Sequence, residues 1–386
     1  MQTLVLFGIV AVLIFIAPLV AKITRLPLVV IEIILGAFAF NVGIILESTI
    51  LKEVAHIGFL FLMFLAGIEV DMKSFKMLGK AFLKRILFYF FVLYSVTAII
   101  VLSFDLSVIY IAAFPVMSLG MIMILIKDYG KNEPWLDLAL KIGIVGELVS
   151  ITMLVLLDGY YSFGIGSELY KSLGTLLIFT LLIAIIFKFA GLLFWWFPKL
   201  RFLLIPQEKF GNQDIRYSMM IFFVMIAIVS LLKIETALGA FLSGMIISSF
   251  FKSHKSLHHK LNDIGFGFLI PLFFVYIGTT LDFKVIFANI DIIIHSINIC
   301  ATMIFIRFLA TSVVFGSMLK RLKNIVLFAL SDAMPLTFLI ATATLGLNIG
   351  AITKSQYYSF VLAAMLEGIL FSIIIKIIFN YKNNKH

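Results

Sequence analysis

The stretch Ala139-Leu140-Lys141-Ile142-Gly143-Ile144-Val145-Gly146-Glu147-Leu148-Val149-Ser150-Ile151 places a single carboxylate, Glu147, near the centre of an apolar run long enough to cross a membrane. A charged acid at the middle of a bilayer costs about 2.5–3.5 kcal/mol on insertion scales. A chain keeps such a group when it binds a cation, carries a proton or neutralises a fixed charge. The surrounding sequence decides that the run is a span. Of 386 residues, 63% are hydrophobic and 13% are charged, and the mean hydropathy is +1.17. Soluble domains are about 45–50% apolar and about 25% charged. Apolar runs of about 20 residues recur along the chain without the alternation of barrel strands, so the spans read as helices.

The expected fold is an all-α polytopic membrane protein with 13 spans, at residues 3–21, 27–45, 53–69, 81–103, 107–126, 137–157, 172–197, 216–232, 236–251, 264–280, 289–318, 324–347 and 356–380. Residues 1–386 read as one transport domain with no soluble regulatory domain. Met1-Gln2-Thr3 enters the first span without a basic segment, which is not the pattern of a signal peptide. With the N-terminus outside and the C-terminus cytoplasmic, the inside loops hold 21 of the 30 lysines and arginines and the outside loops hold 5. That asymmetry satisfies the positive-inside rule and fits a bacterial-type inner membrane. The net charge of +10 is therefore a topology signal, and no nucleic-acid partner is expected. A lone cysteine, Cys300, excludes a disulfide framework and reads as a small apolar residue in a span. His254, His258 and His259 read as part of a solvated basic loop. No cofactor is expected.

Several expected spans contain groups that lipid does not favour, among them Glu32, Glu147, Arg307, Asp332 and Glu367. Glu147 and Arg307 stand out, because one acid and one base in a bundle interior can neutralise each other. Two further segments carry a proline near mid-membrane with a hydroxyl residue soon after it. They are Ala113-Phe114-Pro115-Val116-Met117-Ser118-Leu119-Gly120 and Ser331-Asp332-Ala333-Met334-Pro335-Leu336-Thr337. Proline removes a backbone donor and frees a carbonyl on the preceding turn. Freed backbone at membrane depth is tolerated only where protein or a polar cavity surrounds it. Pro115 and Gly120, and Pro335 and Thr337, are thus read as helix breaks. Paired breaks point to an inverted-repeat transporter, with repeats over about 1–157 and 216–386 joined by a helix at 172–197. On that scheme Glu367 is the counterpart of Glu147, and the sequence assigns it no ion-binding role.

Four blocks carry a family resemblance. Arg25-Leu26-Pro27-Leu28-Val29-Val30-Ile31-Glu32-Ile33-Ile34-Leu35-Gly36 and Gly58-Phe59-Leu60-Phe61-Leu62-Met63-Phe64-Leu65-Ala66-Gly67-Ile68-Glu69-Val70-Asp71 are the first two. Ala237-Leu238-Gly239-Ala240-Phe241-Leu242-Ser243-Gly244 and Pro271-Leu272-Phe273-Phe274-Val275-Tyr276-Ile277-Gly278 follow in order. Together they resemble the cation:proton antiporter-2 family, which contains Kef-type systems and bacterial sodium/proton exchangers. The resemblance implies a dimerising panel and a mobile core in which two broken helices cross near an essential acid. It maps the acid to Glu147, a nearby basic residue to Arg307, and the broken helices to the segments around Ser118 and Asp332. The chain departs from the family pattern in three places. Gly146 stands where relatives carry a second acid or amide, Met334-Pro335 stands where many have Gly-Glu, and Ser118-Leu119-Gly120 replaces a threonine-rich break.

The function expected is exchange of a monovalent cation, Na⁺ or K⁺, for protons, with Glu147 binding each transiently in turn. Ser118, Asp332 and backbone carbonyls would help to bind the ion, Arg307 would balance charge, and a single acid implies electroneutral exchange. The alternatives are a Kef-like potassium efflux module with a separate regulatory subunit, and a non-transporting sensor on the same fold. An intramembrane enzyme would want a nucleophile–base pair, and none is evident.

Overall fold

The computed structural model describes residues 2–24, 26, 28–46, 48–69, 79–130, 132–163, 174, 212–232, 236–250 and 255–380. The expected joining span at 172–197 lies outside these residues, save Gly174, as do Arg25, Pro27, the lysine-rich segment 70–78, His254 and the tail from Tyr381. Within the described residues every other expected span is occupied by helix, interrupted at 107–126 and 324–347. Among the described residues, seven helices are long and apolar enough to cross a membrane, and shorter apolar helices accompany them. The chain divides into two compact units.

The first unit comprises Met1–Phe15, Ile45–Lys76 and Gly159–Ile277. Its centre is the packing of Thr49–Glu69 on Thr236–Phe250, with Gln213–Leu231 beside the latter. Glycines permit the close approach. A Cβ on Gly67 would overlap the Phe241 carbonyl, and one on Gly244 would overlap the Phe64 carbonyl. Small residues bring helices together in this way where water supplies no driving force. Phe61, Phe64 and Phe222 interlock beside this seam, with ring centroids 5.2–5.5 Å apart.

One sequence expectation is corrected in this unit. The basic segment read as a solvated loop is a helix, Lys255–Ile264, which continues through a π-helical turn at Gly265–Leu269 into Ile270–Thr279. Leu257 and Leu261, four residues apart, are fully buried, and Lys260 pairs with Asp214 at 2.9 Å. An apolar stripe of period 3.6 thus runs beneath the charges. The charges hid it by lowering the local hydropathy.

The second unit comprises Ile16–Ile44, Met77–Asp158 and Gly278–His386. Within it we label Leu28–Asn41 α1, Lys80–Ser103 α2, Ile109–Ala113 α3, Leu119–Tyr129 α4, Pro134–Phe163 α5, Ile290–Leu319 α6, Leu322–Asp332 α7, Leu336–Asn348 α8 and Lys354–Asn380 α9. Gly278 lies so close to α1 that a Cβ would overlap the Ile33 carbonyl. Asn41 ties the end of α1 to the same segment by donating to the Leu281 carbonyl and accepting from the Phe283 N–H, at 2.8 and 2.9 Å. Helix α6 packs on α2, α7 and α9. The half-helices α3–α4 and α7–α8 are the two predicted broken helices. Helix α8 packs on α3 and α7 packs on α4, so each first half meets the other's second half.

Candidate ion-binding site

The first break runs from Phe114 to Ser118, where the backbone leaves the helix at Pro115 and re-enters at Leu119. Ser118 is extended, with φ −140° and ψ 129°, and it is buried. The second break is shorter, covering Ala333, Met334 and Pro335. Gly120 and Thr337 sit one residue inside the helices that follow, and they are placed by their backbone alone. Both breaks therefore lie beside the prolines, where the intrahelical hydrogen bonds must fail.

Arg307 of α6 is fully buried and reaches both breaks. Its guanidinium donates to the carbonyls of Phe114 (2.7 Å) and Val116 in the first break and to the carbonyl of Asp332 (3.0 Å) in the second. It also donates to the Met303 carbonyl, one turn back on its own helix, at 3.2 Å. Its Nε lies 3.3 Å from Asp332 Oδ2. The carbonyls that it collects close the C-terminal ends of α3 and α7, where the helix dipole is negative and a cation is favoured. The planar fork of arginine suits this task, since one side chain serves several acceptors at once. Tyr89 of α2 donates to the same Asp332 oxygen at 3.1 Å.

Glu147 meets the first break from its other end. The side chain is 1% exposed, and Oε2 accepts the Leu119 N–H at 2.7 Å, at the N-terminus of α4. A half-helix N-terminus carries unsatisfied N–H groups and positive partial charge, so an anion there is stabilised. Ser150, one turn along α5, accepts the Met117 N–H at 3.0 Å. Helix α5 thus supplies two acceptors to two N–H groups freed by the break, from positions i and i+3 on one face. The break is held by Arg307 at its carbonyls and by Glu147 and Ser150 at its amides.

The glycines of α5 explain how it comes so near. A Cβ on Gly143 would lie 2.9 Å from Ile122 Cδ1, and one on Gly146 would overlap Met117 Sδ. Gly146 is thus a site of close approach, where a second acid or amide has no room beside Met117 as it stands.

The structure brings Glu147, Ser118, Pro115 and Gly120 to one break, and Asp332, Pro335 and Thr337 to the other, with Arg307 on both. Ser150 and Tyr89 were not among the expected site residues. Ser150 was signalled by its spacing from Glu147 on a helical face. Tyr89 carries no such signal, because it lies in a run of aromatic residues with nothing to mark it out.

Residues 10–381 match the family described as sodium/hydrogen exchanger, transmembrane. The chain is 28% identical to a probable Na⁺/H⁺ antiporter 3 of Methanocaldococcus jannaschii, over 98% of this chain and 97% of that one. It is 27% identical to a putative Na⁺/H⁺ antiporter, YjbQ, of Bacillus subtilis, over 91% of this chain and 59% of that protein. Its fold resembles the structure of the sodium proton antiporter MjNhaP1 of Methanocaldococcus jannaschii, with a TM-score of 0.67 at 15% identity, covering 97% of each chain. The chain belongs to the transmembrane sodium/hydrogen exchanger family.

Proposed function

We propose that the chain exchanges a monovalent cation, Na⁺ or K⁺, for protons across a membrane, with Glu147 as the group that binds each in turn. The observation that carries this reading is the Glu147 carboxylate buried at the N-terminus of a broken helix. Proton and cation use the same oxygens, so binding one displaces the other. Extra oxygen ligands for the cation would come from Ser118 and from carbonyls of the break, since hard cations prefer oxygen. Arg307 takes no proton in this scheme. It neutralises Asp332 and the half-helix ends, and so keeps the breaks intact as the core moves. One exchanging acid moves one charge in each direction, so transport is electroneutral. The protein works as a homodimer in a bacterial-type inner membrane, with its N-terminus outside, an orientation supported by the loop charges.

The test is reconstitution into proteoliposomes carrying a pH-sensitive dye, with sodium and potassium titrated in turn and the membrane potential clamped at several values. Cation-driven proton movement at a rate independent of voltage is expected. No response to either cation refutes exchange, and a rate that follows voltage refutes one-for-one stoichiometry.

A further inference from the structure

Glu367 of α9 has no part in the site above, yet its side chain is fully buried. Neither carboxylate oxygen has a hydrogen-bond partner among the described residues. The spacing ties it to the first repeat, because Glu147 lies 32 residues after Pro115 and Glu367 lies 32 residues after Pro335. The outcomes differ because the breaks differ in length. Helix α4 begins four residues after Pro115, while α8 begins directly after Pro335. Counted from the helix starts, Glu367 falls about one turn beyond the position equivalent to Glu147, and it makes no hydrogen bond to the start of α8.

Among the described residues its surroundings give it no other hydrogen-bond partner. One turn earlier on α9, the Ala363 carbonyl accepts from Cys300 Sγ at 3.5 Å. A Cβ on the next residue, Gly368, would meet Leu336 and Val30, both apolar, at 3.4 Å. The buried titratable or charged groups on the helices packed against α9 are Arg307 and Cys300 of α6, Asp332 of α7, Tyr110 of α3, whose ring meets Phe360, and Glu32 of α1, and α8 supplies none. Arg307 is the one positive charge among them, and each of its three nitrogens is engaged by carbonyls or Asp332. An ionised carboxylate without a partner in such a place is far costlier than a neutral one. This packing is therefore the packing of a protonated Glu367.

We propose that Glu367 is a proton-binding site, separate from Glu147, whose proton holds α9 in this packing and whose loss releases it. The proton passes from the carboxyl to water that enters as α9 moves, and returns by the same route. It is not carried across the membrane, so the one-for-one exchange is unchanged. The ligand is the proton, and because α9 packs on α6, which carries Arg307, and on α7 and α8, which flank the second break, its release frees the exchanging core and activates the exchanger as the pH rises. This inference rests on the exchange reading above.

Two measurements test it. In proteoliposomes, the wild type should gain activity with rising pH more steeply than competition at one carboxylate allows. Glu367→Gln and Glu367→Met, which fill the space without titrating, should lose the extra steepness and run several-fold slower at alkaline pH. Glu367→Asp should retain the steepness. A wild-type profile in the Gln or Met variant overturns the proposal. The second readout does not require transport. Infrared difference spectra between wild type and Glu367→Gln (or Glu367→Met, if that is the variant that folds) should show the carbonyl stretch of a protonated acid at neutral pH, fading as the pH rises. Its absence at neutral pH also overturns the proposal. A wild type that exchanges no cation refutes the exchange reading, while the infrared band still decides the proton site.

Discussion

Replacing Arg307 by methionine should be the most damaging single change to this fold. The substitution keeps an unbranched side chain of similar reach but removes every donor. It strands the carbonyls of Phe114 and Val116 in the first break and of Asp332 in the second, and it leaves the Asp332 carboxylate without its counter-charge. Breaking a buried ion pair by deleting one partner costs about 3–5 kcal/mol. Each buried acceptor left unmade adds about 1–3 kcal/mol, less whatever relaxation or water recovers. A loss of at least about 3 kcal/mol follows, and it should register in reversible unfolding of the detergent-solubilised protein by SDS. The companion variant Asp332→Asn removes the charge and keeps Arg307 on its carbonyls, so it should cost less. The double variant should then be more stable than Arg307→Met alone, because the uncompensated carboxylate has gone. If Arg307→Met loses under about 1 kcal/mol, the range of a surface pair, the reasoning about the two breaks is wrong.

Three smaller changes probe the same centre. Ser150→Ala leaves the Met117 N–H without its acceptor and should cost about 1–3 kcal/mol, with weaker apparent cation affinity in the flux assay. Tyr89→Phe removes one hydrogen bond to a charged group and should cost about 1.5–3 kcal/mol while leaving the turnover of the folded protein near wild type. Gly146→Asp, which would restore the family's second acid, should instead destabilise the protein, because its Cβ overlaps Met117. Pairing it with Met117→Ala should recover part of the loss, and equal stability of the two Gly146→Asp proteins in thermal melts would contradict the packing argument.

How much of this was legible in the sequence depended on whether the signal was local. Pro115 and Pro335 announce the breaks, since the missing N–H acts within one turn. Glu147 and Arg307 announce themselves by their cost in lipid. The partner of Arg307 is not legible in the sequence, because it depends on which helices cross. The structure answers with Asp332 and the half-helix ends together. Gly146 is legible only in part, as a missing polar group and a site of close approach look alike in one dimension. The helix at Lys255–Ile264 was hidden by its charges, although Leu257 and Leu261 hold the spacing that marks a buried face.

The central claim is that Glu147 is the exchanging group, and Glu147→Gln tests it most directly. Glutamine keeps an oxygen that can accept the Leu119 N–H, so the break and the fold should survive, but it can neither take up a proton nor offer a negative charge to a cation. Sodium- and potassium-driven proton movement should be abolished in proteoliposomes whose thermal midpoint matches the wild type. Normal exchange by the folded Glu147→Gln protein would contradict the account.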